Sequence, residues 1–435
     1  MKRTSWKRTL CMLLVLALIG SMMPVVYGSD EGAKQVSFVE TDSSLTAADL
    51  ALEDKNLPAS EEKESRLYSS DEMVRVSVVL ERQPVLEKGY ATAGIASNAG
   101  AQAYREDLLL DQQAVVARIS QATGGDLDVV WNLTLAVNVI SANIRYGDLE
   151  TVAATDGVRE VVLETQYLPC ELDGEIYAPN MATSSGMTGA DAAWLSGYTG
   201  AGSRIAIIDT GLDENHQSVN EKAFLYALEQ NAAQREESKE EYLQSLNMLD
   251  AQEIETVLPQ LNMYANSVFY ESDLQVANEL YHTAKVAFAY NYIDRDFDIT
   301  HDNDGQGGHG SHVAGIATAN RYLASQDGSF SSAREAAHVV GVAPDAQVLI
   351  MKVFGKNGGA YESDYMAAIE DAIILGCDSI NLSLGSAMSG MTSNELYQET
   401  LDSLSQTDAV GVISAGNNSA WPAEAGRGFL YGHVV

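Results

Sequence analysis

Basic residues are scarce in this 435-residue chain, and that scarcity narrows its range of partners. Its 26 lysines and arginines stand against 61 aspartates and glutamates, which leaves a formal charge of −35 at pH 7. A surface this acidic repels phosphate, so nucleic acid and anionic membranes are excluded as partners. Only three cysteines occur, Cys11, Cys170 and Cys377, which is too few for a disulfide framework.

Long apolar runs are also missing, apart from one near the amino terminus. Four basic residues within the first eight positions precede the apolar stretch 10–19, and Val26-Tyr27-Gly28 offers small residues for cleavage. This order is typical of a secretory signal peptide over residues 1–28. A membrane anchor is the alternative, although the run is short for a bilayer span. We therefore expect a secreted protein with no transmembrane helix in the rest of the chain.

The sequence after the signal peptide divides by composition and periodicity. Residues 29–72 are acidic and aperiodic, which predicts a disordered spacer. Residues 73–168 alternate strand and helix patterns, with strands beginning at Val74, Leu135 and Val158, and predict a small α+β unit. Residues 169–189, marked by proline and glycine, predict an exposed linker.

Residues 190–435 alternate apolar strand patterns with helical stretches, which predicts a doubly wound, mostly parallel α/β sheet. Residues from about 219 to 290 interrupt this order with leucines at helical spacing among polar residues, and they predict an inserted helical subdomain. That insertion either gates substrate entry or presents an ordinary solvated face.

Three glycine-punctuated motifs follow strand patterns in the predicted sheet. Asp209-Thr210-Gly211 ends the apolar run 204–208, His309-Gly310-Ser311-His312 begins a helix pattern, and Ser414-Ala415-Gly416-Asn417 follows a further strand pattern. Strand ends and helix starts meet at one edge of a parallel sheet, so an acid, a base and an amide donor are expected to converge. Such a set is three of the four parts of an acyl-transfer site.

These motifs resemble those of the subtilisin-like serine peptidases. Within that family, the sequence at residues 291–294 and 351–359 is most similar to bacterial cell-envelope proteinases of the lactocepin and C5a-peptidase kind. The resemblance implies that Asp209 orients His309 as the catalytic base and that Asn417 stabilises the oxyanion. It further implies that an extended polypeptide substrate pairs with two segments, Ser383, Leu384, Gly385 and Ser414, Ala415, Gly416.

The resemblance also carries expectations for the rest of the chain. Residues 73–168 are similar to the inhibitor-type propeptide of these enzymes, a small ferredoxin-like α+β domain that acts as an intramolecular inhibitor. No cofactor is required for the chemistry, and a secreted, cell-envelope location in a bacterium is implied. Tyr361 and Tyr365 either line an apolar subsite or pack as helix neighbours.

One part of the family pattern is absent from the printed sequence. The nucleophile motif Gly-Thr-Ser-Met-Ala does not occur, and the similar string at 183–187 precedes Asp209 and lies in the predicted linker. We therefore expect this chain to be the amino-terminal part of a longer serine endopeptidase and to be inactive as written. The alternative is a non-catalytic product that binds peptides, or a truncated pseudo-peptidase.

An acidic run precedes His309 and raises the question of a metal. Five aspartates lie within eleven positions, at 294, 296, 298, 302 and 304. Carboxylate oxygens are the ligands that calcium prefers, so Asp302 and Asp304 predict a structural calcium site. A solvated acidic loop is the alternative.

Overall fold

The computed structural model describes residues 68–169, 181–302, 304–356, 358–385 and 395–414. The predicted signal peptide and most of the predicted spacer lie outside these ranges, as do Ala415, Gly416 and Asn417. In the described part of the chain, no helix is both long and apolar enough to cross a membrane.

The first unit, here called the N-terminal module, is an α+β sandwich in the order βαββαβ. Its elements are β1 (Met73–Leu80), α1 (Ala99–Thr123), β2 (Asp128–Leu133), β3 (Val139–Arg145), α2 (Leu149–Ala153) and β4 (Val158–Leu163). The strands form an antiparallel sheet in the order β2-β3-β1-β4. Apolar side chains of β1, β3 and α1 form its core. This arrangement is ferredoxin-like, as expected.

The expected strand 135–140 is placed differently in the structure. Residues 134–138 form a connection, and the chain enters β3 only at Val139. The amides of Leu135 and Ala136 donate to the carboxylate of Glu370 instead of to a neighbouring strand. The additional strand β2 was missed because its polar residues obscure the period of two.

The main domain is built on five parallel strands in the order β14-β12-β6-β10-β7. They are β6 (Arg204–Asp209), β7 (Val286–Asn291), β10 (Gln347–Lys352), β12 (Ser379–Leu382) and β14 (Val410–Ile413). The strands β7 and β10 are buried along their whole length, as expected of a parallel sheet covered on both faces. Helices α10 (His309–Thr318), α12 (Glu362–Ile374) and α13 (Glu395–Ser405) belong to this α/β domain. The predicted fold class is confirmed.

Short elements complete the main domain. A hairpin pairs β8 (Tyr322–Ala324) with β9 (Phe330–Ser332), which leads to α11 (Ala333–Ala336). A separate ladder has β5 (Gln166–Pro169) between β11 (Ala360–Tyr361) and β13 (Leu384–Gly385). The predicted linker 169–189 contains the helix α3 (Met181–Thr188), and α4 (Ala190–Leu195) follows it.

The helical insertion is present, but it ends earlier than the sequence predicts. Its helices are α5 (Glu221–Gln234), α6 (Lys239–Ser245), α7 (Ala251–Val257), α8 (Asn262–Ala265) and α9 (Asp273–Leu280). Residues 286–290, expected inside the insertion, belong to the central strand β7. Their unbroken apolar character marks a doubly covered strand, which periodicity alone does not distinguish from a buried helix.

Candidate active site

Two of the predicted site residues meet at the carboxyl end of β6. Asp209 is the last residue of that strand and is 1% exposed. Its Oδ1 atom lies 2.7 Å from Nδ1 of His309, the first residue of α10, at the distance of a hydrogen bond donated by the ring. The amide of Thr210 donates to the same oxygen over 2.7 Å. The carboxylate is therefore held by the backbone while it orients the imidazole.

Two glycines allow this close approach of helix and strand. A Cβ on Gly310 would lie 2.3 Å from the carbonyl oxygen of Gly211, a distance that no side chain tolerates. Gly211 itself has a φ of +106° and sits against the carbonyl of Ile299. The Thr210 hydroxyl accepts from the Gly310 amide over 2.8 Å and donates to the Gly307 carbonyl over 3.1 Å. The glycines and the threonine of both motifs thus fix the distance between acid and base.

The contact with Asp209 changes the proton affinity of His309 in the direction that a general base needs. The hydrogen bond that His309 donates to Asp209 raises the pKa of the imidazole above its ordinary value, while partial burial opposes this effect. Among the described residues, Nε2 of His309 has no hydrogen-bond partner, so this nitrogen is free to accept a proton. His312 is exposed. Nearby, the Ser311 hydroxyl accepts from the Asp213 amide over 2.7 Å.

A buried ion pair supports the loop that leads into His309. Lys352, at the end of β10, is 1% exposed and donates to the Thr210 carbonyl and to Oδ2 of Asp304, each over 2.6 Å. Oδ1 of Asp304 accepts from the Gln306 amide. Lys352 therefore links the end of β10 to two places. It binds the loop before His309 through Asp304 and the turn after Asp209 through Thr210. No local pattern in the sequence predicts the pairing of Lys352 with Asp304, because the two residues lie 48 positions apart.

In the acidic run, the carboxylates of Asp294, Asp296, Asp298 and Asp304 accept hydrogen bonds within the protein. Asp298 accepts from the amide and hydroxyl of Thr300, and Asp296 accepts from the side chain of Asn291. Within the described ranges, no three or more histidines, cysteines or acidic residues are arranged to hold a metal. Since Asp304 pairs with Lys352, calcium at Asp302 and Asp304 stays a prediction.

The predicted substrate-binding strand does bind an extended segment, and that segment comes from the same chain. In β13, Leu384 pairs with Pro169 and Gly385 with Leu168 in antiparallel register. On the other side of β5, Ala360 pairs with Tyr167. The two-sided ladder is the geometry of strand addition, which binds main chain with little regard to sequence.

Ser383 and Ser414 lie beside this ladder. The hydroxyl of Ser383 accepts from the side chain of Asn381 over 3.0 Å. Ser414 follows β14, and its hydroxyl donates to the Leu384 carbonyl over 3.0 Å. Because Ala415, Gly416 and Asn417 lie outside the described residues, their expected roles stay predictions.

The sequence comparisons agree with this geometry. The profile of the Subtilase family matches residues 200–429, more than half of the chain. This chain belongs to the subtilase family. The match spans Asp209, His309 and the strands between them. It supports peptidase function at the family level and confirms the resemblance seen in the sequence.

The subtilase has curated relatives that are much longer than itself. The PII-type proteinase of Lacticaseibacillus paracasei is 27% identical over 364 residues, covering 82% of this chain and 16% of the relative. The C5a peptidase of Streptococcus pyogenes serotype M18 (strain MGAS8232) is 29% identical over 226 residues, covering 51% of this chain and 16% of the relative. The subtilase thus spans about a sixth of the length of these relatives.

A solved structure shows only a weak likeness to the subtilase. Fervidolysin from Fervidobacterium pennivorans, described as a keratinolytic enzyme related to subtilisin, has a TM-score of 0.42 and 16% identity. The likeness covers 80% of this chain and 40% of that one. A score this low adds nothing to the family assignment.

Tyr365, one of the two tyrosines for which a subsite or helix packing was expected, is buried in this subtilase against a residue of β5. The side chain of Tyr167 is 3% exposed and meets Tyr365 edge to face, with ring centroids 5.7 Å apart. Its hydroxyl donates to Oε1 of Glu362 over 3.3 Å. Tyr361 instead lies beneath the guanidinium of Arg75. Sequence reasoning missed Glu362 because an acidic residue in the first turn of a helix usually interacts only with the helix dipole.

Proposed function

We propose that this subtilase is a secreted serine endopeptidase that cleaves peptide bonds by Asp-His-Ser acyl transfer and is made as a propeptide-inhibited precursor. The hydrogen bond of 2.7 Å between Nδ1 of His309 and Oδ1 of Asp209 carries the proposal. It leaves Nε2 as the basic nitrogen, which is the tautomer that the mechanism requires.

In the proposed reaction, His309 handles the proton. A serine hydroxyl attacks the scissile carbonyl carbon while its proton passes to Nε2 of His309. The C–N bond then breaks as the imidazolium returns that proton to the amine, and water hydrolyses the acyl ester by the same route. Asp209 stabilises the imidazolium, and the side-chain amide of Asn417 donates to the oxyanion. No metal or organic cofactor takes part in these steps.

The N-terminal module is proposed to be the inhibitor, with residues 73–168 as the propeptide. The ladder of β5 between β11 and β13 supports this role, because it fills the surface where an extended substrate would bind. A bound segment of the same chain competes at high effective concentration. Main-chain pairing along Leu384 and Gly385 is the feature that substrate and inhibitor are proposed to share.

Secretion is proposed from the amino-terminal sequence. Basic residues followed by an apolar stretch are typical of a signal peptide over 1–28. A related Bacillus subtilis protein, 26% identical over 246 residues, is named a minor extracellular protease. We place this subtilase outside a bacterial cell, in association with its envelope.

The test compares two histidines of one helix in the full-length protein encoded by the gene. His309→Ala is expected to abolish peptide hydrolysis and cleavage of the precursor, since it removes the base. His312→Ala, an exposed neighbour on α10, is the matched control and is expected to keep both activities. Self-processing retained in His309→Ala would refute the proposed base.

The second candidate function is peptide binding without catalysis. It is favoured by the same ladder, because strand addition needs no nucleophile. Fluorophosphonate probes distinguish the two candidates, since they label an activated serine. Labelling of the full-length protein that His309→Ala abolishes supports the peptidase. Peptide binding with no labelling supports the binder.

A further inference from the structure

The helical insertion and the N-terminal module share one hydrophobic core. Leu258, Leu261 and Met263 of the insertion belong to the same buried cluster as Trp131 and Leu133 of β2. All five side chains are fully buried. Neither of the uses expected from the sequence, a substrate gate or a solvated face, accounts for an apolar surface covered in this way. The insertion has a partner, and the partner is the module.

Polar contacts fix the insertion to one edge of the module's sheet. The strand β2 lies at the end of the order β2-β3-β1-β4, so in the part of the chain that the structure describes its outer edge has no strand neighbour. Oδ1 of Asn266 accepts from the Asn132 amide over 2.9 Å and from the Asn132 side chain over 3.0 Å. Two residues earlier on the same edge, the Val130 carbonyl accepts from Arg295. The open edge of β2 is thereby capped, as edge strands require.

Arg295 contacts both β2 and the Asn266 backbone. Its guanidinium lies 4.6 Å from the ring centroid of Trp131 and donates to the Asn266 carbonyl over 3.1 Å. A planar guanidinium can stack on an aromatic ring while its edge donates hydrogen bonds. The backbone of Arg295 has a φ of 58°, in the left-handed region that residues with a side chain seldom adopt.

A second contact lies between the insertion and the start of α1. The side-chain amide of Gln260 donates to the Ala96 carbonyl over 2.8 Å. The backbone carbonyl of Gln260 accepts from the buried guanidinium of Arg105 over 3.0 Å. We call Gln260, Asn266 and Arg295 the edge dock.

The insertion also positions the carboxylate that holds the module's turn. The side-chain amide of Asn262 donates to Oε2 of Glu370 over 3.0 Å, and Oε1 of Glu370 accepts from the amides of Leu135 and Ala136 over 2.8 and 2.7 Å. The module is therefore bound at two kinds of surface. The segment that follows the module, β5, which is its tail, pairs with β11 and β13 in the ladder. The strand β2 and the turn after it bind the insertion and α12.

We propose that the insertion is a second binding surface that retains the N-terminal module after the chain between module and main domain has been cut. This inference rests on the proposed function, because it concerns the lifetime of the inhibited state. Cleavage frees the tail to leave the ladder, whereas the hydrogen bonds of the edge dock go to the module itself, at Ala96, Arg105, Val130 and Asn132. Retention is specific for the outer edge of β2, since Asn266 of the insertion and Arg295, in the loop after β7, bind its backbone groups.

The experiment cuts the full-length protein at a chosen point and follows release of the module. A recognition sequence for a site-specific protease is inserted between Glu175 and Ile176 in a His309→Ala background, which prevents self-processing. After complete cutting, size-exclusion chromatography and native mass spectrometry measure how fast the module dissociates. The readout does not depend on peptidase activity, so its failure is separate from failure of the proposed function.

Asn266→Ala is expected to release the module about tenfold faster than the parent, which corresponds to about 1.4 kcal/mol. Gln260→Ala, at a half-buried position, is expected to act in the same direction. Asn278→Ala is the matched control, because Asn278 is exposed on α9 of the same insertion. Thermal unfolding of the uncut variants verifies that each is folded.

Two results would overturn the inference. One is a parent protein that loses the module as soon as the chain is cut. The other is equal release from Asn266→Ala and Asn278→Ala. Faster release from both edge-dock variants, with release from Asn278→Ala unchanged, supports it.

Discussion

Two glycines of α10 are expected to respond to alanine in opposite ways. A Cβ on Gly310 would lie 2.3 Å from the carbonyl oxygen of Gly211 and 2.9 Å from its nitrogen. A Cβ on Gly315, in the same helix, would meet nothing within 4 Å beyond the helix's own backbone. The structure therefore predicts that Gly310→Ala destabilises the protein and that Gly315→Ala stabilises it.

The magnitude follows from these surroundings. Alanine is favoured over glycine within a helix by about 0.8–1.0 kcal/mol, so Gly315→Ala raises the free energy of unfolding by that amount. At Gly310 the new atom overlaps backbone that has no rotamer to change, and overpacking costs about 1–3 kcal/mol. The two variants are thus expected to differ by roughly 2–4 kcal/mol. Gly310→Ala also moves His309 away from Asp209, so peptidase activity is expected to fall in that variant alone.

Denaturant unfolding followed by circular dichroism measures the difference. A change in midpoint at constant m reports the change in the free energy of unfolding. The reasoning would be refuted by a Gly310→Ala protein that unfolds at or above the parent's denaturant concentration. It would also be refuted if Gly315→Ala lost as much stability as Gly310→Ala.

Buried and acidic groups supply three more predictions. Lys352→Met is expected to cost about 3–5 kcal/mol of unfolding free energy because Asp304 is left charged and buried, and additive costs in a double-mutant cycle with Asp304→Asn would contradict the pairing. Burial and the charge of Asp364 raise the pKa of Glu164, so the cut module is held best below the free carboxyl pKa and released faster as pH rises through the bound pKa. Glu164→Gln is expected to flatten that dependence in the release assay, and an unchanged pH dependence would exclude Glu164 as its source. If calcium binds at Asp302 and Asp304, the melting temperature is expected to be higher in millimolar calcium than in chelator. Equal melting temperatures would contradict the calcium site and leave Lys352 as the cationic partner of Asp304.

The contact between Asp209 and His309 could be predicted because its signals are local. Asp209 ends an unbroken apolar run, and His309 begins a helix among glycines, so each motif carries its own strand end or helix start. The parallel sheet followed from the same runs. The structure adds why Gly211 and Gly310 are needed, since their contact joins segments about a hundred residues apart in sequence.

Contacts between distant segments could not be predicted in this way. Glu370 binds amides 234 and 235 residues earlier in the chain, which a search for local period does not detect. The turn at 135–138 therefore resembled a strand, because its apolar residues are buried by a partner far along the sequence. The edge dock was missed for the same reason, since Asn266 has a role only when β2 is beside it.

The acid limb of the pH–rate profile tests the central claim most directly. The Asp209 hydrogen bond raises the pKa of His309, and the base works only when neutral, so kcat/KM in the full-length protein is expected to fall below a pKa higher than the ordinary value for histidine. Asp209→Asn is expected to lower the rate by about 10⁴-fold, as in other triads, and to move the acid limb to lower pH. An acid limb at the same pH in both proteins, or a rate that Asp209→Asn leaves unchanged, would contradict the account.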